Sequence, residues 1–149
     1  MDAQGPLVSC YDPQTRKDTL DGPKYRQILD EELLPHAEAV YGEDRGAWTF
    51  MQDGAPCHRS ATVREWFAQT GVQVMEWPAQ SPDLNPIESM WFQIKRAIGR
   101  RNFETKQALW EAVAEEWNKV TMEQRIKLVE SMPKRCLEVI RANGMATKY

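Results

Sequence analysis

Apolar positions recur at three- and four-residue steps along most of the chain, broken by a few short apolar runs without that period. In "SATVREWFAQTG", Val63, Trp66 and Phe67 occupy positions i, i+3 and i+4, Ser60 offers a cap oxygen and Gly71 a stop, so the spacing predicts a helix through Thr70. "DGPKYRQILDEELLP" reads in the same way: Asp21 caps, Tyr25, Ile28, Leu29 and Leu33 share a face, and Pro35 ends or kinks the helix. "GPLVSCY", "AWTFMQ" and "VQVMEW" are short, apolar and rich in β-formers, and read as strands. Gly46 and Asp53-Gly54 bound the second of these, which makes Asp53 the exit of a strand expected to be buried on both faces.

Beyond residue 85 the pattern is helical almost to the end. Ile87, Trp91, Ile94 and Ile98 form one apolar stripe, and Leu109, Val113, Trp117 and Val120 a second. Thr121 with Gln124 spells a capping box, and a last helix is expected to start at Ser131 and stop at Gly144. Strands alternating with helices, then helices alone, give an α/β chain with a helical C-terminal part. Trp48, Trp66, Trp91, Trp110 and Trp117 fall on apolar positions and are expected in the core, whereas Lys134 and Arg135 are expected on the solvated surface.

At 149 residues the chain has room for one sizeable core, and one domain is expected. No apolar run approaches the roughly 20 residues that span a bilayer, and "MDAQGPLVSC" has no signal-peptide pattern, so the expectation is an intracellular chain or one truncated upstream, with no membrane partner. A formal net charge of -3 leaves any nucleic-acid contact to local patches. Cys10, Cys57 and Cys136 are widely spaced and are expected as free thiols. Cys57 and His58 are adjacent, which suits one ion poorly, and His36 is the other histidine, so zinc is not expected.

The stretch "WPAQSPDLNPIESMW" poses two readings. Asn85 is a good N-cap, Pro86 fits the first helical position, and Glu88 at the third can reach back to the cap's N–H; helix capping alone accounts for all three. The alternative pairs Glu88 with Asp53, 34 residues intervening, one acid leaving a strand and the other opening a helix. Paired carboxylates at a sheet edge suit Mg²⁺, which takes hard oxygen ligands and serves phosphoryl chemistry. Asp53 taken alone reads equally as an Asp-Gly turn.

"QDGAPCHRS" at 52 to 60, "QSPDLNPIE" within 77 to 91 and "SMPKRCLEVIRANGMATKY" at the end resemble the catalytic domain of Tc1/mariner transposases of the Tc1 branch, as do "GPLV" and "KYRQILDEELLP". The resemblance spans nearly the whole chain and implies an RNase H-like mixed sheet, N-terminally truncated, with residues 1–149 forming the C-terminal two thirds of a DDE catalytic domain. It implies that Asp53 and Glu88 are the second and third acids of the metal-binding triad. The family's first catalytic Asp and its N-terminal DNA-binding region are expected to be missing, none of Asp2, Asp12, Asp18 or Asp21 fitting the first position. Mg²⁺ or Mn²⁺ would then bind weakly, and activity in this chain alone would be weak or lost.

The same resemblance implies DNA as partner and the nucleus as location. An open sheet edge makes a homo-oligomer or strand-exchanged dimer the expected assembly. His58 matches the family's histidine after the second acid and could orient a water, a phosphate or Asp53, or simply bond locally; Asn85 is a possible supporting residue. Lys95, Arg96, Arg100 and Arg101 could hold DNA phosphates, or could offset the dipole at a helix end. A domesticated, non-catalytic interaction or oligomerisation module is the alternative function.

Overall fold

The computed structural model describes residues 5–10, 19–99 and 101–149, which fall into two compact units, Met1–Gln80 and Ser81–Tyr149. Tyr11, Asp2, Asp12, Asp18 and Arg100 lie outside the described residues.

In the first unit, helix α1 (Gly22–Ile28) starts where Asp21 Oδ1 accepts the Lys24 N–H at 2.9 Å. A π-helical turn (Leu29–Leu33) then leads into α2 (Leu34–Tyr41). Pro35 therefore bends the helix without ending it. It has no N–H to bond four residues back, and the widened turn, in which Leu34 N–H bonds the Leu29 carbonyl five residues back, accommodates its ring. Gly42, at φ 83°, stops α2.

Strand β1 (Thr49–Phe50), helix α3 (Ala61–Thr70) and strand β2 (Gln73–Val74) form a β-α-β unit in which β1 and β2 pair in parallel, Thr49 opposite Gln73 and Phe50 opposite Val74. Met75 N–H adds a bond to the Phe50 carbonyl at 2.8 Å. Both strands are shorter than their apolar runs suggest, and β1 is not buried on both faces: Thr49 is exposed, while Phe50 packs beside Phe67, ring centroids 6.1 Å apart. Helix cover on one side is enough to bury alternate residues only. Residues 5–10 form no strand; their backbone is held instead by Lys24 Nζ donating to the Cys10 carbonyl.

α3 begins and ends as its residues dictate, with Ser60 Oγ accepting from Val63 N–H and Gly71 at φ 71°. The core of this unit gathers Tyr25, Leu29, Leu34, Val63, Trp66 and Val72, and Trp66 Nε1 donates to Asp30 Oδ1 at 3.0 Å. At the contact of α1 with α3, a Cβ on Gly22 would collide with the Ser60 hydroxyl.

The second unit opens with a 3₁₀ turn (Pro82–Leu84) and continues as α4 (Pro86–Ile98), α5 (Lys106–Asn118), α6 (Met122–Glu130) and α7 (Met132–Arg141). α4 packs against α5 and α6, and the 3₁₀ turn against α4 and α7. Met90, Ile94 and Ile98 of α4 are buried, as are Ala112 and Trp117 of α5, and the Trp91 and Trp117 rings lie 5.5 Å apart. The second apolar stripe is only partly buried: Leu109 stays 40% exposed, and the small Ala112 takes an enclosed place that periodicity had not assigned to it.

The capping box of α6 is complete, Gln124 N–H bonding Thr121 Oγ1 at 3.3 Å and Thr121 N–H bonding Gln124 Oε1 at 2.8 Å. Ser131 is not the side-chain cap its position suggests. Its backbone is helical, its hydroxyl donates to the Leu128 carbonyl at 2.6 Å, and α7 follows α6 almost without a break. Asn143 at φ 52° and Gly144 at φ 79° end the run. Among the described residues, no helix is long and apolar enough to cross a membrane.

Candidate functional site

Asp53 follows β1 by three residues and stands exposed in the loop to α3. Its Oδ1 accepts the Ala55 N–H at 3.0 Å, which is the turn an Asp-Gly pair favours. The same oxygen lies 2.7 Å from His58 Nδ1, which also lies 3.3 Å from the Asp53 carbonyl. Turn and histidine contact thus coexist, and both engage Oδ1. With the proton on Nδ1, His58 holds the carboxylate in one orientation and leaves Nε2 as an acceptor.

His58 is in turn fixed by Tyr25, whose ring centroid is 4.0 Å away, and the Tyr25 hydroxyl donates to Gln52 Oε1 at 2.9 Å. Burial holds the Tyr25 phenol protonated well above its ordinary range, reinforced by negative charge at Cys57 and Asp53. The loop therefore rests on a neutral donor at any ordinary pH.

Glu88 lies in the first turn of α4 and is exposed. Asn85 caps this helix, its side chain accepting the Ile87 N–H at 3.3 Å. The other half of the expected capping box is not made: Asn85 N–H donates to the Pro82 carbonyl at 3.0 Å. The 3₁₀ turn just ahead of α4 occupies the donor that Glu88 would have reached, so capping does not consume the Glu88 carboxylate. Beside it runs a groove of ≈ 650 Å³ bordered by Glu88, Phe92, Lys95, Lys148 and Tyr149, with Phe92 67% exposed.

Lys95 and Arg96 are exposed in the last turn of α4, as expected of either cation role. Arg101 is partly committed elsewhere, 3.9 Å from Glu115 and 5.4 Å above the Phe103 ring.

Three features of this region escape sequence reasoning. Arg135 is not surface but 3% exposed, and Asp83 in the 3₁₀ turn is 7% exposed. Arg135 Nη1 donates to the Asp83 carbonyl at 3.0 Å, Nη2 to Ser89 Oγ at 2.7 Å and Nε to Ser131 Oγ at 2.8 Å. Asp83 Oδ2 accepts the Thr147 N–H at 3.1 Å. Only the spacing of Ser131 and Arg135, one helical turn apart, was a local signal; the other partners are 46 to 64 residues apart in sequence.

Asp53 belongs to the first unit and Glu88 to the second. Among the described residues, no three His, Cys, Asp or Glu side chains gather as a metal cluster. The donor chemistry nonetheless suits Mg²⁺ or Mn²⁺, since each unit presents an exposed carboxylate and, among the described residues, neither acid forms an ion pair with Lys or Arg.

Exposed carboxylates at a strand exit and at a helix start are hard oxygen donors of the kind that divalent-metal phosphoryl chemistry uses. Residues 13–110 match the family described as DDE superfamily endonuclease, and the chain belongs to it. It is 40% identical over 130 residues to the transposable element Tc1 transposase of Caenorhabditis elegans, covering 87% of this chain and 46% of the relative. To the Tcb1 transposase of Caenorhabditis briggsae it is 42% identical over 134 residues, 88% of this chain and 47% of the relative. The chain thus spans about half the length of these curated relatives.

The fold is RNase H-like: the crystal structure of the Mos1 mariner transposase catalytic domain superposes with a TM-score of 0.78 at 20% identity, over 89% of this chain and 67% of that one. That Mos1 domain has also been solved with Mn and with Mg, and Mos1 in a paired-end complex.

Proposed function

We propose that this chain supplies two metal-binding acids, Asp53 and Glu88, to a Tc1-type transposase that cuts and joins DNA. Residues 1–149 act as one partial catalytic domain, to which the first unit contributes Asp53 and the second Glu88. The observation that carries the reading is that Asn85 N–H is bonded to the Pro82 carbonyl, which leaves Glu88 exposed and outside the capping role that would otherwise explain it. Family membership gives that free carboxylate a task.

Bound Mg²⁺ or Mn²⁺ would activate the attacking oxygen and stabilise the leaving oxygen of a phosphodiester. The chain's own residues do the rest. His58 holds Asp53 by Oδ1 and leaves the other carboxylate oxygen for a cation. Asn85 fixes the helix start that carries Glu88. Lys95 and Arg96 meet DNA phosphates, with Arg101 and Arg100 contributing on the same stretch of sequence. Partner copies of the chain add to the open edges of β1 and β2, and the protein acts in the nucleus, where its DNA lies.

Nicking of supercoiled plasmid in Mg²⁺ or Mn²⁺ tests this directly, comparing the chain with Asp53→Asn and Glu88→Gln. Metal-dependent nicking that drops at least ten-fold in either variant is the expected result. Equal activity in all three, or none of it metal-dependent, overturns the assignment.

A further inference from the structure

Among the described charged side chains Arg135 is the most enclosed, yet its partners are a backbone carbonyl, two hydroxyls and an aromatic ring, with no carboxylate among them. A buried cation held only by neutral acceptors is costly to keep, so its place is explained by what it fastens together. Those attachment points bracket one short segment. Asp83 lies two residues before the Asn85 cap, and Ser89 directly follows Glu88. The guanidinium reaches both, from a base on α7 where Ser131 takes its Nε–H.

We infer that Arg135 is a positioning residue for Glu88: its planar fork clamps the 3₁₀ turn to the first turn of α4 and so fixes where the Glu88 backbone enters the helix. The inference rests on the proposed role of Glu88 as a metal-binding acid. The Glu88 side chain is exposed and does not take the Asn85 N–H, which goes to Pro82, so its direction depends on the backbone that carries it. The fork geometry matters because three donors leave the guanidinium in one plane toward three fixed acceptors, which an ammonium cannot reproduce. The end of the chain joins the same clamp: Tyr149 stacks its ring 4.7 Å from Arg135 Cζ, and Thr147 N–H bonds Asp83 Oδ2. That places Tyr149 and Lys148 along the groove beside Glu88.

Amide hydrogen exchange on the full 149-residue chain, read residue by residue, tests the clamp with variants Arg135→Met, Arg135→Lys and Ser89→Ala. Arg135→Met is expected to speed exchange at Ile87 and Glu88 at least ten-fold more than at the α5 core around Trp117, with Arg135→Lys restoring part of the protection. Ser89→Ala is expected to open the same amides by a smaller factor, and it carries the test should Arg135→Met not fold. Metal-dependent nicking should fall at least ten-fold in Arg135→Met while plasmid binding in a gel shift stays unchanged. Exchange that rises evenly through α4 and α5, or that does not change at residues 87 and 88, overturns the inference. A wild-type chain that never nicks DNA would overturn the catalytic reading of Glu88, while the exchange pattern would still decide whether Arg135 sets this segment.

Discussion

His58 Nδ1 lies 2.7 Å from Asp53 Oδ1, and the Tyr25 ring packs 4.0 Å from the same imidazole. A carboxylate that is itself exposed is thus aimed by a ring that is largely enclosed. Removing the ring frees the carboxylate of this contact and takes one packing neighbour from the core residue Tyr25. For His58→Ala, metal affinity or Mn²⁺-dependent nicking is expected to fall by about 10- to 100-fold, the range typical when an outer partner of a metal ligand is lost. Isothermal titration with Mn²⁺ and a melting curve check it; affinity lost without a matching collapse in Tm is the predicted pair of results.

Tyr25 makes stability depend on alkaline pH. Its folded-state pKa is raised, chiefly by burial, above the ordinary value of 10.0. A group so raised contributes stability that is complete below the unfolded value and lost as pH climbs toward the folded one. Tm is therefore expected to hold up to about pH 10 and to fall beyond it, as the ordinary tyrosine pKa sets the onset. Tyr25→Phe should flatten that alkaline decline while lowering Tm at pH 7 by the loss of the Gln52 hydrogen bond, about 1 kcal/mol. Melting curves from pH 7 to pH 11 would show both.

Gly22 is set by space and not by an unusual backbone angle. A methyl group there meets the Ser60 hydroxyl and its Cβ, where the start of α1 lies on the start of α3. Gly22→Ala is expected to destabilise by about 1–3 kcal/mol, the usual cost of overpacking, in spite of alanine's better helix propensity. Chemical denaturation measures it, and pairing with Ser60→Gly, which vacates the space, should recover part of the loss.

Local chemistry was legible because its partners are neighbours in sequence. The Asp21, Ser60, Asn85 and Thr121 caps, the Gly71 stop and the amphipathic face of α4 all follow from residues within a turn or two of each other. The motifs around Asp53 and Glu88 likewise announced the family before any coordinate did, because that signal lies in residue identity at fixed spacing.

What the tertiary structure decided depends on groups far apart in the chain. Pro35 could have ended its helix or bent it, and the π-helical turn ahead of it settled the matter. "AWTFMQ" looked like a strand buried on both sides, but burial is a property of what packs above and below, and here Ala47 and Thr49 stay exposed while the other four residues are half-buried. Arg135 looked like one of many surface cations; the acceptors that enclose it sit up to 52 residues away, beyond the reach of any periodicity. Sequence thus marks helix starts such as those at Asp21, Ser60, Asn85 and Thr121, whereas the burial of Arg135 and its bonds to Asp83 and Ser89 join residues far apart in the chain, which only the folded chain brings together.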